Sequence, residues 1–77
     1  MRKFRKKDSK KIRGRIGHLV CDLRKKANLT QSVLSKSIGL EQSSLSLIEN
    51  GKRDLTAVQW FMLCDKLKVS PDLLSDA

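Results

Sequence analysis

A stretch of 19 residues, 31–49, constrains the fold of this chain more than any other feature of the sequence. Its apolar residues recur at the spacing of one buried helix face, stop at a glycine and resume after it. Gly39 permits the positive φ that a tight turn requires, so two short helices can be joined within three or four residues. Such helices cross at a steep angle and are held together by apolar side chains, here Leu34, Ile38, Leu40, Leu45 and Ile48.

Apolar periodicity and capping residues also predict the limits of the first three helices. A long first helix is expected over residues 10–27, with Ser9 as its N-cap and Asn28 as a left-handed stop. Thr30 suits the N-cap of the second helix. The second and third helices are predicted over 31–37 and about 42–50, the third ending before Gly51.

The C-terminal third of the chain predicts two more helical segments. Thr56 can cap a fourth helix, and Ser70-Pro71 opens a last short turn. Trp60 and Phe61 lie within the apolar pattern of the fourth helix, so we expect both side chains to pack in the core. No strand pattern competes with this assignment, and the predicted fold class is all-α with five short helices.

The positive charge is concentrated at the N-terminus. Residues 1–15 carry +8 of the formal net charge of +9, and residues 16–77 carry the remaining +1. A basic segment joined to a near-neutral domain attracts a polyanion, most often a nucleic acid. Residues 1–9 are predicted to form a flexible basic arm in front of one domain over 10–77, although a purely solubilising tail is equally compatible with the composition. The arm residues expected to contact nucleic acid are Arg2, Lys3, Arg5, Lys6 and Lys7.

From Ile16 to Leu74 the chain resembles the Cro and phage-repressor type of helix-turn-helix domain, also called the xenobiotic-response-element (XRE) family. The resemblance implies a lambda-repressor-like DNA-binding domain with its helix-turn-helix at about residues 31–50. It also implies a sequence-specific transcriptional regulator, a homodimeric repressor or controller that binds a palindromic operator in double-stranded DNA. The segments that carry the resemblance are 29–31 (Leu-Thr-Gln), 38–40 (Ile-Gly-Leu), 48–53 (Ile-Glu-Asn-Gly-Lys-Arg) and 67–70 (Leu-Lys-Val-Ser).

The resemblance further implies roles for individual side chains in DNA binding. Gln42 would read adenine through its amide, and Ser43 and Leu47 occupy two further base-reading positions. Ser46 is expected on the same outward face. Gln31 would bind a phosphate and brace Gln42. The other positions expected at the sugar-phosphate backbone are Thr30, Ser44, Asn50, Lys52 and Arg53.

The family pattern also places a structural ion pair between Arg24 and Glu49, which would tie the first helix to the third. Two residues depart from the pattern. Ser35 stands where a small residue such as Ala is usual, and its hydroxyl is expected to bond to the Gln31 carbonyl. Glu41 stands where Ser or Thr usually caps the third helix, and its charge suits the helix dipole.

Two apolar residues of the fourth helix, Val58 and Met62, stand where the family pattern is usually polar. They could form an exposed patch, and a homodimer would explain it because a two-fold pair sets two recognition helices one DNA turn apart. A wide core face is the alternative. Val69 and Leu74 are further candidates for the dimer interface.

Other classes of site are disfavoured by the sequence. Cys21 and Cys64 lie 43 positions apart without a C-x-x-C motif, so neither a disulfide nor a zinc site is supported, and no metal, cofactor or small-molecule ligand is expected. His18 and the scattered acids form no catalytic pattern, so an enzyme is not expected. No apolar run suggests a leader or a membrane span, and a cytoplasmic protein is expected. One alternative function stays open, an antitoxin-type interaction protein that also regulates its own promoter.

Overall fold

The computed structural model describes residues 6–72, and within that range the chain forms four α-helices and no β-strand. The prediction of an all-α fold is confirmed. No helix in this range is both long enough and apolar enough to cross a membrane. In chain order the helices are α1 (Lys6–Lys26), α2 (Gln31–Ser37), α3 (Gln42–Glu49) and α4 (Ala57–Leu67).

The helix ends around the predicted turn are confirmed. Thr30 caps α2, since its Oγ1 accepts a hydrogen bond from the backbone N–H of Val33 at 3.2 Å. Asn28 follows α1 with a φ of 58°, and Gly39 lies between α2 and α3 with a φ of 70°. Both residues can adopt this left-handed conformation at low cost. The turn therefore needs only residues 38–41.

The first helix begins earlier than predicted. Its first residue is Lys6, so Ser9 lies inside α1 and is not its N-cap. Asp8 in the first turn suits the positive end of the helix dipole, and lysine is a good helix former, so the helix extends into the basic segment. Residues 6–9 of the predicted arm are helical. The arm residues Arg2, Lys3 and Arg5 lie outside the described residues.

The core lies between the four helices. Leu40, in the turn, is partly buried and packs against the core, as do Leu55 and Val69 beyond it. Trp60 is buried as predicted, and its Nε1 donates a hydrogen bond to the Pro71 carbonyl at 3.0 Å. This bond holds the segment after α4 against the helix. The buried apolar residues are Val20, Leu34, Ile38, Leu45, Ile48, Trp60, Leu63 and Cys64.

The fourth helix confirms one prediction and contradicts another. Thr56 and Gln59 form a reciprocal capping box at its start. The prediction that Phe61 packs in the core is wrong, because this residue is 58% exposed. It follows Trp60 directly and is therefore turned by about 100° from the inner face of the helix. The predicted fifth segment begins with a 3₁₀ turn at 71–72, and residues 73–77, including Leu74, lie outside the described residues.

The contact between α1 and α3 depends on a glycine. A Cβ at Gly17 would overlap the Ile48 carbonyl oxygen and lie 2.8 Å from that of Glu49. The two helices can approach this closely only because residue 17 has no side chain. Gly51, just after α3, would likewise place a Cβ 2.8 Å from the Cα of Gly14. The C-terminal end of α3 and the loop after it are therefore pressed onto the middle of α1.

Candidate nucleic-acid interface

The two faces of α3 have opposite character. Leu45 and Ile48 are buried against the other helices, which fixes the rotation of α3 about its own axis. Gln42 and Ser43 are consequently exposed, and Leu47 is 43% exposed. The predicted base-reading residues thus lie together on the solvent side. Ser46 and Ser44 are half-buried at the edges of this outward surface.

The loop after α3 places two cations beside this surface. Lys52 and Arg53 are both exposed, and the Arg53 guanidinium donates a hydrogen bond to Oγ of Ser44 on α3. Asn50 is the C-cap of α3, and its Nδ2 donates to the Ser46 carbonyl at 2.8 Å. These contacts hold the loop against α3, so its positive charge stays next to the row of Gln42, Ser43 and Leu47. We name this row, together with Lys52 and Arg53, the α3 surface.

The carboxylate of Glu49, at the end of α3, is hydrogen-bonded to Arg24 of α1 and Gln31 of α2, so it links three helices. The carboxylate accepts two hydrogen bonds from Arg24, at 2.8 Å from Nε to Oε2 and 3.1 Å from Nη2 to Oε1. Nη1 of Arg24 also donates to the Leu29 carbonyl at 2.9 Å. The structure thus brings the predicted pair together in a bidentate geometry. It adds a contact to the α1–α2 loop that the sequence did not indicate.

Burial and pairing act in opposite directions on the pKa of Glu49. Burial raises the pKa of the carboxyl, but the hydrogen bonds from Arg24 and Gln31 and the nearby positive charge outweigh it, so the pKa lies below its ordinary value. The hydrogen bond to Glu49 raises the pKa of the Arg24 guanidinium against the opposing effect of its burial. Both groups are therefore charged at neutral pH, and each would be left without a counter-charge by removal of the other.

Two hydrogen-bond predictions differ from the structure. Nε2 of Gln31 donates to Oε1 of Glu49 at 3.0 Å, so its amide is held by Glu49 rather than positioned against Gln42. The second N–H of the Gln31 side-chain amide can still donate to another acceptor. The prediction for Ser35 is wrong. Its buried hydroxyl donates to the Ser32 carbonyl at 3.0 Å, three residues back, rather than to the carbonyl of Gln31.

Comparison with known proteins gives the family. A family model described as helix-turn-helix matches residues 22–74, more than half of the chain. The chain belongs to this helix-turn-helix family. Its structure is similar to a high-resolution crystal structure of the restriction-modification controller protein C.AhdI from Aeromonas hydrophila, with a TM-score of 0.80 and 27% sequence identity, covering 87% of this chain and 97% of that chain. No curated protein matches the chain.

The protein is therefore a DNA-binding transcriptional regulator, and the predictions of family and function class are confirmed. In a helix-turn-helix domain the second helix of the motif enters the major groove with its N-terminal residues toward the bases. In this regulator that helix is α3, which begins at Gln42. Gln42 and Ser43 lie at the N-terminal end of this helix, and both side chains are exposed.

A second exposed surface lies on α4 and is apolar. Val58 is 68% exposed and Met62 is 43% exposed, so the alternative that they belong to a wide core face is wrong. Phe61 lies beside them, three residues after Val58 and one before Met62. Val69, in contrast, packs partly against the core, which removes it from the centre of such a patch. We name Val58, Phe61 and Met62 the α4 patch.

The two cysteines have different surroundings. Cys64 is buried, and burial raises the pKa of its thiol. Cys21 is half-buried, and its Sγ lies 3.7 Å from Nη2 of Arg24, a basic neighbour that the sequence reading did not identify. The i, i+3 spacing of Cys21 and Arg24 along α1 is the signal that could have found it. Both thiols are free.

Proposed function

We propose that this regulator is sequence-specific and acts as a homodimeric repressor or controller on a palindromic operator in cytoplasmic DNA. The observation that carries the proposal is the exposed row of Gln42, Ser43 and Leu47 on α3, directly beside Lys52 and Arg53. A row of short or amide side chains can approach base edges in the major groove, and flanking cations suit phosphates. The α3 surface has base-reading side chains on the helix and cations beside them in the loop, which matches base edges flanked by phosphates in DNA.

The three exposed residues of α3 have distinct roles in this proposal. The amide of Gln42 can donate to N7 and accept from N6 of one adenine, which is a bidentate contact. The hydroxyl of Ser43 can donate to or accept from any base edge. Leu47 suits the methyl group of thymine, since it carries no polar atom. Ser46 is half-buried, so its hydroxyl is less accessible to a base than its place on the outward face of α3 suggests.

The sugar-phosphate backbone is proposed to contact residues at both ends of the motif. Lys52 and Arg53 supply charge, and Ser44 and Asn50 hold the loop that carries them. At the other end, Gln31 begins α2 and its amide is oriented by Glu49. Thr30 caps the same helix, and its Oγ1 already accepts a hydrogen bond from the Val33 N–H; its hydroxyl is proposed to lie beside the backbone next to Gln31.

Dimerisation is proposed to occur through the α4 patch. Val58, Phe61 and Met62 are large apolar side chains on one exposed side of a helix, and covering them with a second copy removes that area from water. A two-fold pair also doubles the contact of one small domain with DNA and sets the two α3 helices about 34 Å apart, the length of one DNA turn. The operator would then be a palindrome.

Regulation by such a protein is occupancy of a promoter rather than catalysis. We propose no small-molecule ligand and no cofactor, so the response depends on protein concentration through dimerisation. The similar C.AhdI structure is that of a restriction-modification controller. Control of a linked gene by the concentration of its own regulator is therefore the mode of action that we propose.

Selection of bound sequences from random DNA duplexes tests the proposal. The expected result is a palindrome with half-sites whose centres are 10 to 11 base pairs apart. A recovered single half-site would contradict the dimer and leave base reading intact. Recovery of no preferred sequence, with binding equal to that of scrambled duplexes, would contradict base reading by α3.

A further inference from the structure

The outer face of α4 carries one acidic residue in line with its apolar residues. Asp65 is exposed and lies seven positions after Val58, so the two side chains point within about 20° of each other around the helix axis. It also follows Phe61 by four positions and Met62 by three, which are the spacings of neighbours on a helix surface. Lys66, the next residue, is turned by about 100° from Asp65 and lies at the edge of the α4 patch. The outer face of α4 is thus apolar at its start and acidic at its end.

The position of Asp65 is unfavourable within its own helix. It lies in the last turn of α4, where the helix dipole presents partial negative charge and disfavours an acid. The first turn of α4, where the dipole would favour an acid, contains none. Asp54, just before that turn, is paired with Arg13 of α1 at 3.6 Å. Within residues 6–72 the Asp65 carboxylate has no ion-pair or hydrogen-bond partner, so one copy of the chain leaves it without a complementary charge.

A second copy of the chain supplies complementary charges in one orientation only. If two α4 helices pack through their patches around a two-fold axis perpendicular to them, they run antiparallel, and Asp65 of each copy comes beside the first turn of the other α4. If the two-fold axis runs along the helices, they run parallel, and the two Asp65 carboxylates come face to face. The antiparallel pair joins opposite charges at both ends, whereas the parallel pair joins like charges. Charge therefore distinguishes two arrangements that bury the same apolar side chains.

We propose that the α4 patch pairs antiparallel with the α4 patch of a second copy, and that Asp65 sets this orientation from its place beside the first turn of the other helix. The inference rests on the proposed function in that the α4 patch is the dimer interface. Val58, Phe61 and Met62 form a small interface compared with the standard one, which buries about 800 Å² on each partner. The expected dimer is consequently weak, and one charged contact at each end is enough to decide its direction.

Position 58 supplies two matched variants. Val58→Lys and Val58→Glu remove the same apolar side chain, and each adds one exposed charge of opposite sign to the first turn of α4. Residues 58 and 65 of one chain are about 10 Å apart along the helix, at about 1.5 Å per residue, so the new charge meets Asp65 only in the antiparallel dimer. Dimerisation of each full-length protein without DNA is measured by analytical ultracentrifugation over a range of protein concentrations. The salt concentration is low, because salt screens exposed charges.

Val58→Lys is expected to dimerise about ten-fold more tightly than Val58→Glu, because the two symmetry-related contacts with Asp65 change from repulsive to attractive. Net charge acts against this result, since the chain already carries +9 and the lysine adds to it. In a parallel dimer each new charge would meet its own copy, so the two variants would be equally weak and their mixture would dimerise more tightly than either alone. Equal constants, or a mixture that dimerises more tightly than Val58→Lys, would overturn the proposal.

A second variant checks that Asp65 is the residue that responds. Val58→Glu with Asp65→Lys is expected to dimerise as tightly as Val58→Lys, because the two charges again have opposite signs across an antiparallel dimer. In a parallel dimer the same change would leave two like-charge contacts. A constant as weak as that of Val58→Glu would therefore overturn the proposal. Circular dichroism of every variant confirms that the helix content is unchanged, so that dimerisation is compared between folded proteins.

The wild type and Val58→Ser with Met62→Ser separate failure of this inference from failure of the proposed function. A wild type that stays monomeric at every concentration, or a dimer that survives the two serine substitutions, would overturn both the proposed interface and the antiparallel arrangement. A dimer that is lost on the serine substitutions but does not respond to the sign of the charge at position 58 would overturn the antiparallel arrangement alone.

Discussion

Helices α3 and α4 are built alike on their inner faces and differ on their outer ones. Each buries apolar side chains against the same core, Leu45 and Ile48 from α3, Trp60 and Leu63 from α4. The outer face of α3 presents Gln42 and Ser43, whereas that of α4 presents Val58, Phe61 and Met62. The inner faces thus make the fold, and we propose that the chemistry of each outer face selects the partner, base edges for the first and an apolar protein surface for the second.

The comparison predicts that substitutions on the inner side damage folding and that substitutions on the outer side damage only binding. The largest effect is expected for Gly17→Val. Its branched side chain would meet the backbone carbonyl groups of Ile48 and Glu49, which cannot rotate away as a side chain can. We expect a loss of more than about 3 kcal/mol in the free energy of unfolding. Urea denaturation followed by circular dichroism measures it.

Gly14→Ala is the matched control for that variant. A Cβ at residue 14 has no heavy atom within 4 Å, and alanine favours a helix over glycine by about 0.5–1 kcal/mol. This variant is therefore expected to be as stable as the wild type or slightly more stable. If the two glycine variants unfolded at the same urea concentration, the close α1–α3 contact would not be what holds α3 in place.

The second largest effect is expected for Glu49→Ala. It leaves the largely buried Arg24 guanidinium without its carboxylate and releases Gln31, and we expect a loss of about 2–3 kcal/mol, near the lower end of the range for broken buried pairs. His18 and Asp22, 3.4 Å apart and exposed, supply the control. Asp22→Ala should cost less than about 0.5 kcal/mol. Equal losses would mean that burial adds nothing to the Arg24–Glu49 pair.

The pH dependence of the same pair has a defined sign. Since the pKa of Glu49 in the folded protein is below its ordinary value of 4.5, its carboxylate stabilises the fold fully above that value. The contribution falls as the pH drops through the lower, folded-state pKa. The difference in stability between wild type and Glu49→Ala should thus be constant near neutrality and shrink below about pH 4.5. A difference that instead grew on acidification would contradict the assigned direction.

On the outer side, Val58→Glu with Met62→Glu is expected to abolish dimerisation without unfolding the monomer. Both side chains are exposed, so the free energy of unfolding of the monomer should change by less than about 0.5 kcal/mol. Analytical ultracentrifugation should show a monomer, and operator binding should weaken. The variant Val58→Ser with Met62→Ser is uncharged, so it removes the apolar contact without adding repulsion between glutamates or between glutamates and DNA. It therefore shows how much of the effect comes from the apolar contact. An unfolded product would place these side chains in the core, against the comparison.

The smallest and most local effect is expected for Gln42→Ala. Loss of one bidentate contact should weaken binding to the best operator by about 1–3 kcal/mol and relax the preference at one base pair in each half-site. The stability of the fold should stay unchanged because the Gln42 side chain is exposed. Binding to scrambled duplexes should also stay unchanged, because in the proposal Gln42 makes no contact with the DNA backbone. Unchanged selectivity would remove Gln42 from base reading.

Local sequence patterns predicted the parts of this molecule that depend on neighbouring residues. The Thr30 and Thr56 caps, the Asn28 stop and the Gly39 turn each follow from the chemistry of one residue and its neighbours, and each is present. The Ser9 cap is absent because the lysines before it are good helix formers and Asp8 suits the first turn, so α1 already begins at Lys6. A capping residue marks where a helix can start, and the residues before it decide whether it does.

The errors lie where two segments of chain meet. The apolar periodicity predicted that Phe61 packs in the core beside Trp60. The pattern could not show how wide a face of α4 the core would cover. No local pattern indicates the role of Gly17, because the carbonyl groups that fill the space beside it come from α3, more than 30 positions away. Likewise the sequence did not indicate that the Gln31 amide donates a hydrogen bond to the Glu49 carboxylate at 3.0 Å, and its expected phosphate contact stays a prediction.

The amino-acid sequence by itself determined the class of fold, the limits of the helix-turn-helix and the residue types on the exposed face of α3, because periodicity, caps and a positive-φ glycine act over a few residues. The tertiary structure alone decided which exposed residues share a surface. The separation of the α3 surface from the α4 patch follows from which face of each helix the core buries, and the position of α3 follows from how closely it approaches α1 at Gly17. That distance is set by backbone atoms in contact across the fold, which no local pattern records.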